Sequence, residues 1–124
     1  MMMLQPQEVE VYYILPAIRR ELALELKRLG RSQRAVADVL GVTGAAVSQY
    51  LSGKRAQTEF PVALRKEIAH AAPRITDRES MVREMQRILA SAREDRVICR
   101  LHEKLAGDIP QGCDICFAKT EVAK

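Results

Sequence analysis

The chain has 124 residues, a formal net charge of +4 and no tryptophan. That length suits one compact domain or a small domain with an appendage, and the abundance of Ala, Leu, Arg and Glu favours helix. The longest apolar run, Val11 to Ile18, is interrupted by Pro16 and falls far short of the ~18 residues of a membrane span, so no membrane partner is expected. The opening Met1-Met2-Met3-Leu4-Gln5-Pro6 lacks the charged and long apolar regions of an export signal. Three cysteines, Cys99, Cys113 and Cys116, are an odd set that argues against a disulfide scaffold. A reducing cytoplasm is the compartment these features point to.

In chain order, residues 1–14 read as a flexible N-terminal segment. From Leu15 the apolar residues Leu15, Ile18, Leu22, Leu26 and Leu29 recur at steps of three and four, the signature of one buried helical face. Pro16 suits the first turn of this helix and Gly30 its end, which predicts helix over Pro16 to Leu29. Ser32 can cap a short helix from Gln33 to Leu40, ended by Gly41. Thr43 can cap another from Gly44 to Leu51, closed by Ser52-Gly53. Further helices are predicted over Pro61 to Ala71 and Asp77 to about Ala92. The latter carries a stripe of Met81, Met85, Ile88 and Leu89. No strand pattern, repeat or low-complexity stretch is present, and the fold class is all-α. The expected divisions are a helix-turn-helix domain over 15–72, a helical linker or dimer element over 73–96, and a Cys/His metal-binding tail over 97–124. The tail is expected to be broken into turns by Gly107, Pro110 and Gly112.

Two helices crossing over a tight turn make particular demands. A small residue is needed where they meet, and Ala37 supplies it. The turn needs positive φ, which Gly41 provides. The second helix needs a small apolar residue pinned to the first, and Val47 fits. Val36, Leu40, Val42 and Leu51 complete the core between them. The positive charge concentrates around this unit. From Leu15 to Arg55 there are eight basic residues (Arg19, Arg20, Lys27, Arg28, Arg31, Arg34, Lys54 and Arg55) against Glu21, Glu25 and Asp38, a local net of +5. A basic excess beside such a unit favours nucleic acid as partner.

The run Ser-Gln-Arg-Ala-Val-Ala-Asp-Val-Leu-Gly-Val-Thr, followed by Ala-Val-Ser-Gln-Tyr-Leu-Ser-Gly-Lys-Arg, resembles the XRE superfamily, the Cro and lambda-repressor type of helix-turn-helix protein. The resemblance covers about Leu15 to Gly53. It implies a DNA-binding bundle of four to five helices whose third helix, about 44–51, enters the major groove of double-stranded DNA. The whole chain is also similar to small prokaryotic, largely archaeal, predicted transcriptional regulators that carry a C-terminal Cys-x-x-His and Cys-Asp-x-Cys tail. Leu-Pro-Ala-Ile-Arg-Arg-Glu-Leu near the start and Ile-Pro-Gln-Gly-Cys-Asp-Ile-Cys near the end carry that likeness.

The docking physics assigns roles to residues. The exposed positions of the third helix are Thr43, Gly44, Ala45, Ser48 and Gln49. Gln49 is the only long side chain among them and is suited to paired hydrogen bonds with an adenine edge. Ser48 can bond to several bases, and Ala45 and the Thr43 methyl suit a thymine methyl. Gly44 departs from the polar residue often found at that position in the family. Arg31, Gln33, Arg34, Lys54 and Arg55 are the expected phosphate contacts. One recognition helix spans few base pairs, so a homodimer on paired half-sites is expected, with 73–96 as the dimer element or as a further layer of the bundle.

In the tail, Cys99-x-x-His102 and Cys113-x-x-Cys116 are separated by ten residues. Three thiolates and one imidazole close a tetrahedral zinc shell with no open position. An iron–sulfur cluster is the alternative with the same residue types, and it would make the chain a redox sensor. A dithiol at Cys113 and Cys116, or a tail without metal, completes the readings the sequence leaves open. A catalytic Cys–His pair lacks a third orienting group, so the chain is expected not to be an enzyme. The competing function is a protein-interaction adaptor or antitoxin whose helix-turn-helix does not read DNA. The small residues Gly44, Ala45 and Ala46 favour it. Tyr12, Tyr13, Phe60 and Phe117 are expected to pack, and His70 to lie at the surface.

Overall fold

The structure, a computed structural model, describes residues 5–53 and 59–106. All regular structure among them is helical: α1 (Pro6–Val9), a π turn (Glu10–Ile14), α2 (Leu15–Arg28), α3 (Gln33–Leu40), α4 (Gly44–Leu51), α5 (Val62–Ala71), a 3-10 turn (Ala72–Arg74), α6 (Arg78–Glu94) and α7 (Val97–Ala106). The bounds of α3 and α4 agree with those read from the caps in the sequence.

The centre is α2, which packs against α3, α4 and α5. Ile18, Leu22 and Leu26, spaced at four, are fully buried and form its inward stripe. Val36 from α3, Val47 and Tyr50 from α4, and Leu64 and Ile68 from α5 close around it in one continuous core. Each such side chain contributes roughly 1.5–3 kcal/mol by leaving water. Helix α6 packs on α3 and α5, and α7 packs on α6 and α1. The stripe Met81, Met85, Ile88 and Leu89 is buried within the chain and belongs to the same core. Of the two roles read for 73–96, the folded chain uses this stripe as a further layer of the bundle.

The N-terminal segment departs from expectation. Residues 6–14, within the segment expected to be flexible, are helical and run directly into α2, with Val9 and Ile14 fully buried. The sequence reading starts the helix at Pro16 because proline lacks the N–H that a helix interior needs. The chain instead widens just before it: Leu15 N–H donates to the carbonyl of Glu10, five residues back, in place of the usual four. A π turn at this point lets the helix continue past a proline. Glu8 accepts from the Gln5 N–H at 2.7 Å and caps the start. Tyr12 and Tyr13, expected to pack, are instead 65% and 37% exposed, whereas Phe60 is buried as expected. Phe117 lies outside the described residues.

The other departure is at the far end. The described part of the tail is a helix, not a set of turns, and it carries Cys99 and His102. Its own Val97 and Ile98 are buried in the core and its Leu101 packs against that core. Glycines at 107 and 112 and the proline at 110 lie beyond the described residues.

Candidate nucleic-acid interface

Caps set the boundaries of the two crossing helices. The Ser32 hydroxyl accepts from the Ala35 N–H at 3.1 Å, and the Thr43 hydroxyl accepts from the Ala46 N–H at 3.0 Å. Each fixes where its helix begins. Between them Gly41 sits at φ 69°, in the left-handed region. Around it Val42 N–H bonds to the Ala37 carbonyl at 3.1 Å and Gly41 N–H to the Asp38 carbonyl at 3.3 Å. This pair of bonds satisfies the last carbonyls of α3 and turns the chain in two residues. Gly30, at φ 93°, closes α2 by the same pattern.

The turn rotates α4 so that Ala46, Val47 and Tyr50 face the core and are buried. Thr43, Gly44, Ala45, Ser48 and Gln49 are all exposed. They are the five positions that sequence reasoning assigns to the bases, and the fold brings them to one outward side of the helix. A Cβ at Gly44 would meet nothing within 4 Å, so the face there is open. Tyr50 was not foreseen as a core residue. Its three-residue spacing from Val47 is the signal that could have found it.

The assigned phosphate contacts fall into three groups. Arg34 is exposed on the first turn of α3. Gln33, partly buried, donates its amide to Ser48 Oγ at 2.5 Å and to the Gly44 carbonyl at 3.2 Å, tying the start of α3 to the exposed side of α4. Arg31 donates to the carbonyl of Ile75, which follows the 3-10 turn. Lys54 and Arg55 lie outside the described residues. The Gln33–Ser48 bond was not foreseen either, because nothing in a one-dimensional pattern joins positions fifteen apart.

The two helices are also braced from α6. Arg78 donates to the Asp38 carbonyl at 3.3 Å and to its carboxylate at 3.4 Å. Asp77 caps α6, accepting from the Ser80 N–H at 2.8 Å, and the Ser80 hydroxyl lies 2.8 Å from the same carboxylate oxygen. The backbone bond from Ser80, and then its hydroxyl, hold the Asp77 carboxyl below its ordinary range.

Of the proposed metal ligands, Cys99 is half-buried and His102 is buried, three residues apart on α7 and so on one side of that helix. Cys113 and Cys116 lie outside the described residues. Among the described residues, no three His, Cys, Asp or Glu side chains are grouped to hold a metal ion. No helix among them is long and apolar enough to cross a membrane.

Residues 22–60 match the family model described as Helix-turn-helix. This segment is a helix-turn-helix domain of the Cro/C1 type, in the XRE family. That family consists of DNA-binding regulators and is not a family of enzymes. The match spans α3, the turn and α4 in full, together with the second half of α2. No curated protein and no solved structure matches the chain significantly.

Proposed function

We propose that the chain is a sequence-specific transcriptional regulator that lays α4 in the major groove of double-stranded DNA. The observation that carries this reading is the exposure of Thr43, Gly44, Ala45, Ser48 and Gln49 together, on the helix that follows the Gly41 turn. Gln49 reads an adenine edge and Ser48 a neighbouring base, with Gln33 fixing the Ser48 hydroxyl in place. Ala45 and the Thr43 methyl meet thymine methyls. At Gly44 the bare backbone permits close approach. Arg34, Lys54 and Arg55 hold phosphates, Arg31 contributes with the guanidinium donors that its bond to Ile75 leaves over, and Gln33, both of whose amide hydrogens are used internally, contributes through its backbone N–H at the start of α3. Two copies bind paired half-sites, since one such helix covers few base pairs.

The tail adds a metal site. Cys99 and His102 supply one pair of ligands from one side of α7, and Cys113 and Cys116 complete a closed tetrahedral shell for zinc. The same donor set suits an iron–sulfur cluster, which would add redox sensing. Elemental analysis and an absorption spectrum after anaerobic purification separate the two, and Cys113→Ser is expected to lower the metal content. Unchanged stoichiometry in that variant rejects the ligand set.

The DNA reading is tested by fluorescence anisotropy on a selected duplex and on scrambled duplexes. Arg34→Ala is expected to weaken binding to all of them alike and to reduce the logarithmic salt slope by about 0.9. Gln49→Ala is expected to lose about 1–3 kcal/mol on the selected duplex alone. Equal effects of both on every duplex would count against base readout by α4, and absence of binding to any duplex would favour the adaptor or antitoxin reading.

A further inference from the structure

Between the buried Val9 and Ile14, the π turn carries Val11, Tyr12 and Tyr13, which are 54%, 65% and 37% exposed. Stacked positions in a π turn are five residues apart. Val9 and Ile14 therefore stand one above the other on the core side, and the three bulky residues between them share the outward side. The support is rigid, because helix runs without a break from Pro6 to Arg28. The other large apolar side chains exposed among the described residues are scattered: Leu29 at the end of α2, Val62 on α5 and Val82 on α6. The stripe Met81, Met85, Ile88 and Leu89 is taken up by the core, so it cannot join two copies. A run of three exposed large side chains on a rigid helix is the kind of patch that marks an interaction site.

Charge and area select the occupant. The acidic residues beside the run are engaged within the chain: Glu10 pairs with Arg93 at 2.7 Å, and Glu8 accepts from the Gln5 N–H. The run itself carries no charge. A strongly acidic or basic partner finds no counter-charge in it, whereas an identical run faces it without repulsion, as a two-fold contact requires. Tyrosine is also a residue type that the centres of such contacts favour. The exposed parts of Tyr12 and Tyr13 together amount to about one whole side chain, roughly 150–250 Å2, and Val11 adds to it. A standard interface buries about 800 Å2 on each partner, a little over half of it apolar, so the run supplies roughly half of the apolar share. We propose that Val11, Tyr12 and Tyr13 dock on the same residues of a second copy of this chain. The contact is weak between free copies and gains when two half-sites hold them side by side. The choice of a second copy rests in part on the function proposed above, which places two copies on one DNA; the surface itself does not.

The test is sedimentation equilibrium of the full-length protein without DNA, from about 1 μM to 1 mM, beside acrylamide quenching of tyrosine fluorescence. The chain has no tryptophan and three tyrosines, of which Tyr50 is buried, so quenching reports on Tyr12 and Tyr13. Dimers are expected to form as the concentration rises, with quenching falling in step. Tyr12→Glu sets two like charges in the contact and is expected to weaken dimerisation at least about tenfold. Tyr12→Ser, which adds no charge, is expected to weaken it as well. Val82→Glu, at a similarly exposed position on α6, is expected to leave it unchanged. Circular dichroism confirms that the variants fold. The proposal fails if the protein stays monomeric to 1 mM with its tyrosines open to acrylamide, which leaves the run to a different partner. It fails if the monomer already shields them, which assigns the run to a segment of its own chain such as residues 107–124. It also fails if the folded Tyr12 variants dimerise like the wild type, or if Val82→Glu weakens dimerisation as much. Because DNA is absent, failure here does not disturb the DNA reading, and loss of that reading in the duplex assay does not disturb this result.

Discussion

In the proposed DNA interface, Gln49 and Arg34 divide the work between them. Gln49 is exposed on the outward side of α4, where an amide matches the donor and acceptor pair of adenine. Arg34 is exposed on α3, where a cation meets the backbone charge that every duplex shares. Their different mutational signatures follow from this chemistry. A second residue-scale prediction concerns Arg96, which joins α6 to α7 at φ 58°, in the left-handed region that disfavours any side chain. Arg96→Gly is expected to raise stability by roughly 0.5–1 kcal/mol, read as an increase in the urea midpoint without a change in slope. A lowered midpoint would show that contacts of the arginine outweigh the backbone preference. Nothing in the sequence marks this position, since the left-handed conformation is imposed by the packing of α7 back onto α6 and α1.

At the scale of elements, the short helices depend on their caps. Helices α3 and α4 have eight residues each, too few to persist alone in water. Ser32→Ala is expected to cost about 1 kcal/mol, measured by chemical denaturation, because the Ala35 N–H loses its acceptor. Helix α6 has a titrating cap. A carboxyl held below its ordinary range stabilises the fold above that range, and the contribution disappears as pH falls through the lowered value. Asp77→Asn caps without titrating, so its thermal midpoint is expected to fall less steeply than the wild type's on acidification from the ordinary carboxylate range downward. Parallel profiles would place the acid sensitivity elsewhere. These caps are also why α3, the turn and α4 were legible: Ser32, Gly41 and Thr43 each state a local backbone requirement. The π turn was not legible. Its cause is local, at Pro16, but its direction depends on Val9 and Ile14 finding a place in the core. For the same reason, Cys99 and His102 read as part of a turn-rich tail, yet the apolar Val97, Ile98 and Leu101 hold that segment as a helix.

Across the whole molecule, the helix-turn-helix is held by the remainder of the chain. Arg31 reaches the Ile75 carbonyl, Arg78 reaches Asp38, and Met81, Met85, Ile88 and Leu89 extend the core that α2 begins. Met85→Ala is expected to cost about 2–5 kcal/mol in the urea unfolding of the whole chain, as a single transition. Separate transitions for the α3–α4 unit and for α6 would contradict one shared core. The basic excess from Leu15 to Arg55 was legible from composition, but its use was not. Arg20 pairs with Glu21 at 3.1 Å and Arg28 with Glu25 at 3.0 Å, so only part of that charge faces outward unpaired by a neighbour.

The proposed function stands on sequence reading by α4. Selection of duplexes from a random library by the purified protein, followed by sequencing, addresses it most directly. A defined half-site is expected to be recovered, with the selected duplex bound at least ~10³-fold more tightly than scrambled DNA. Recovery of no common sequence, with binding that is equal on all duplexes and abolished by moderate salt, would contradict it.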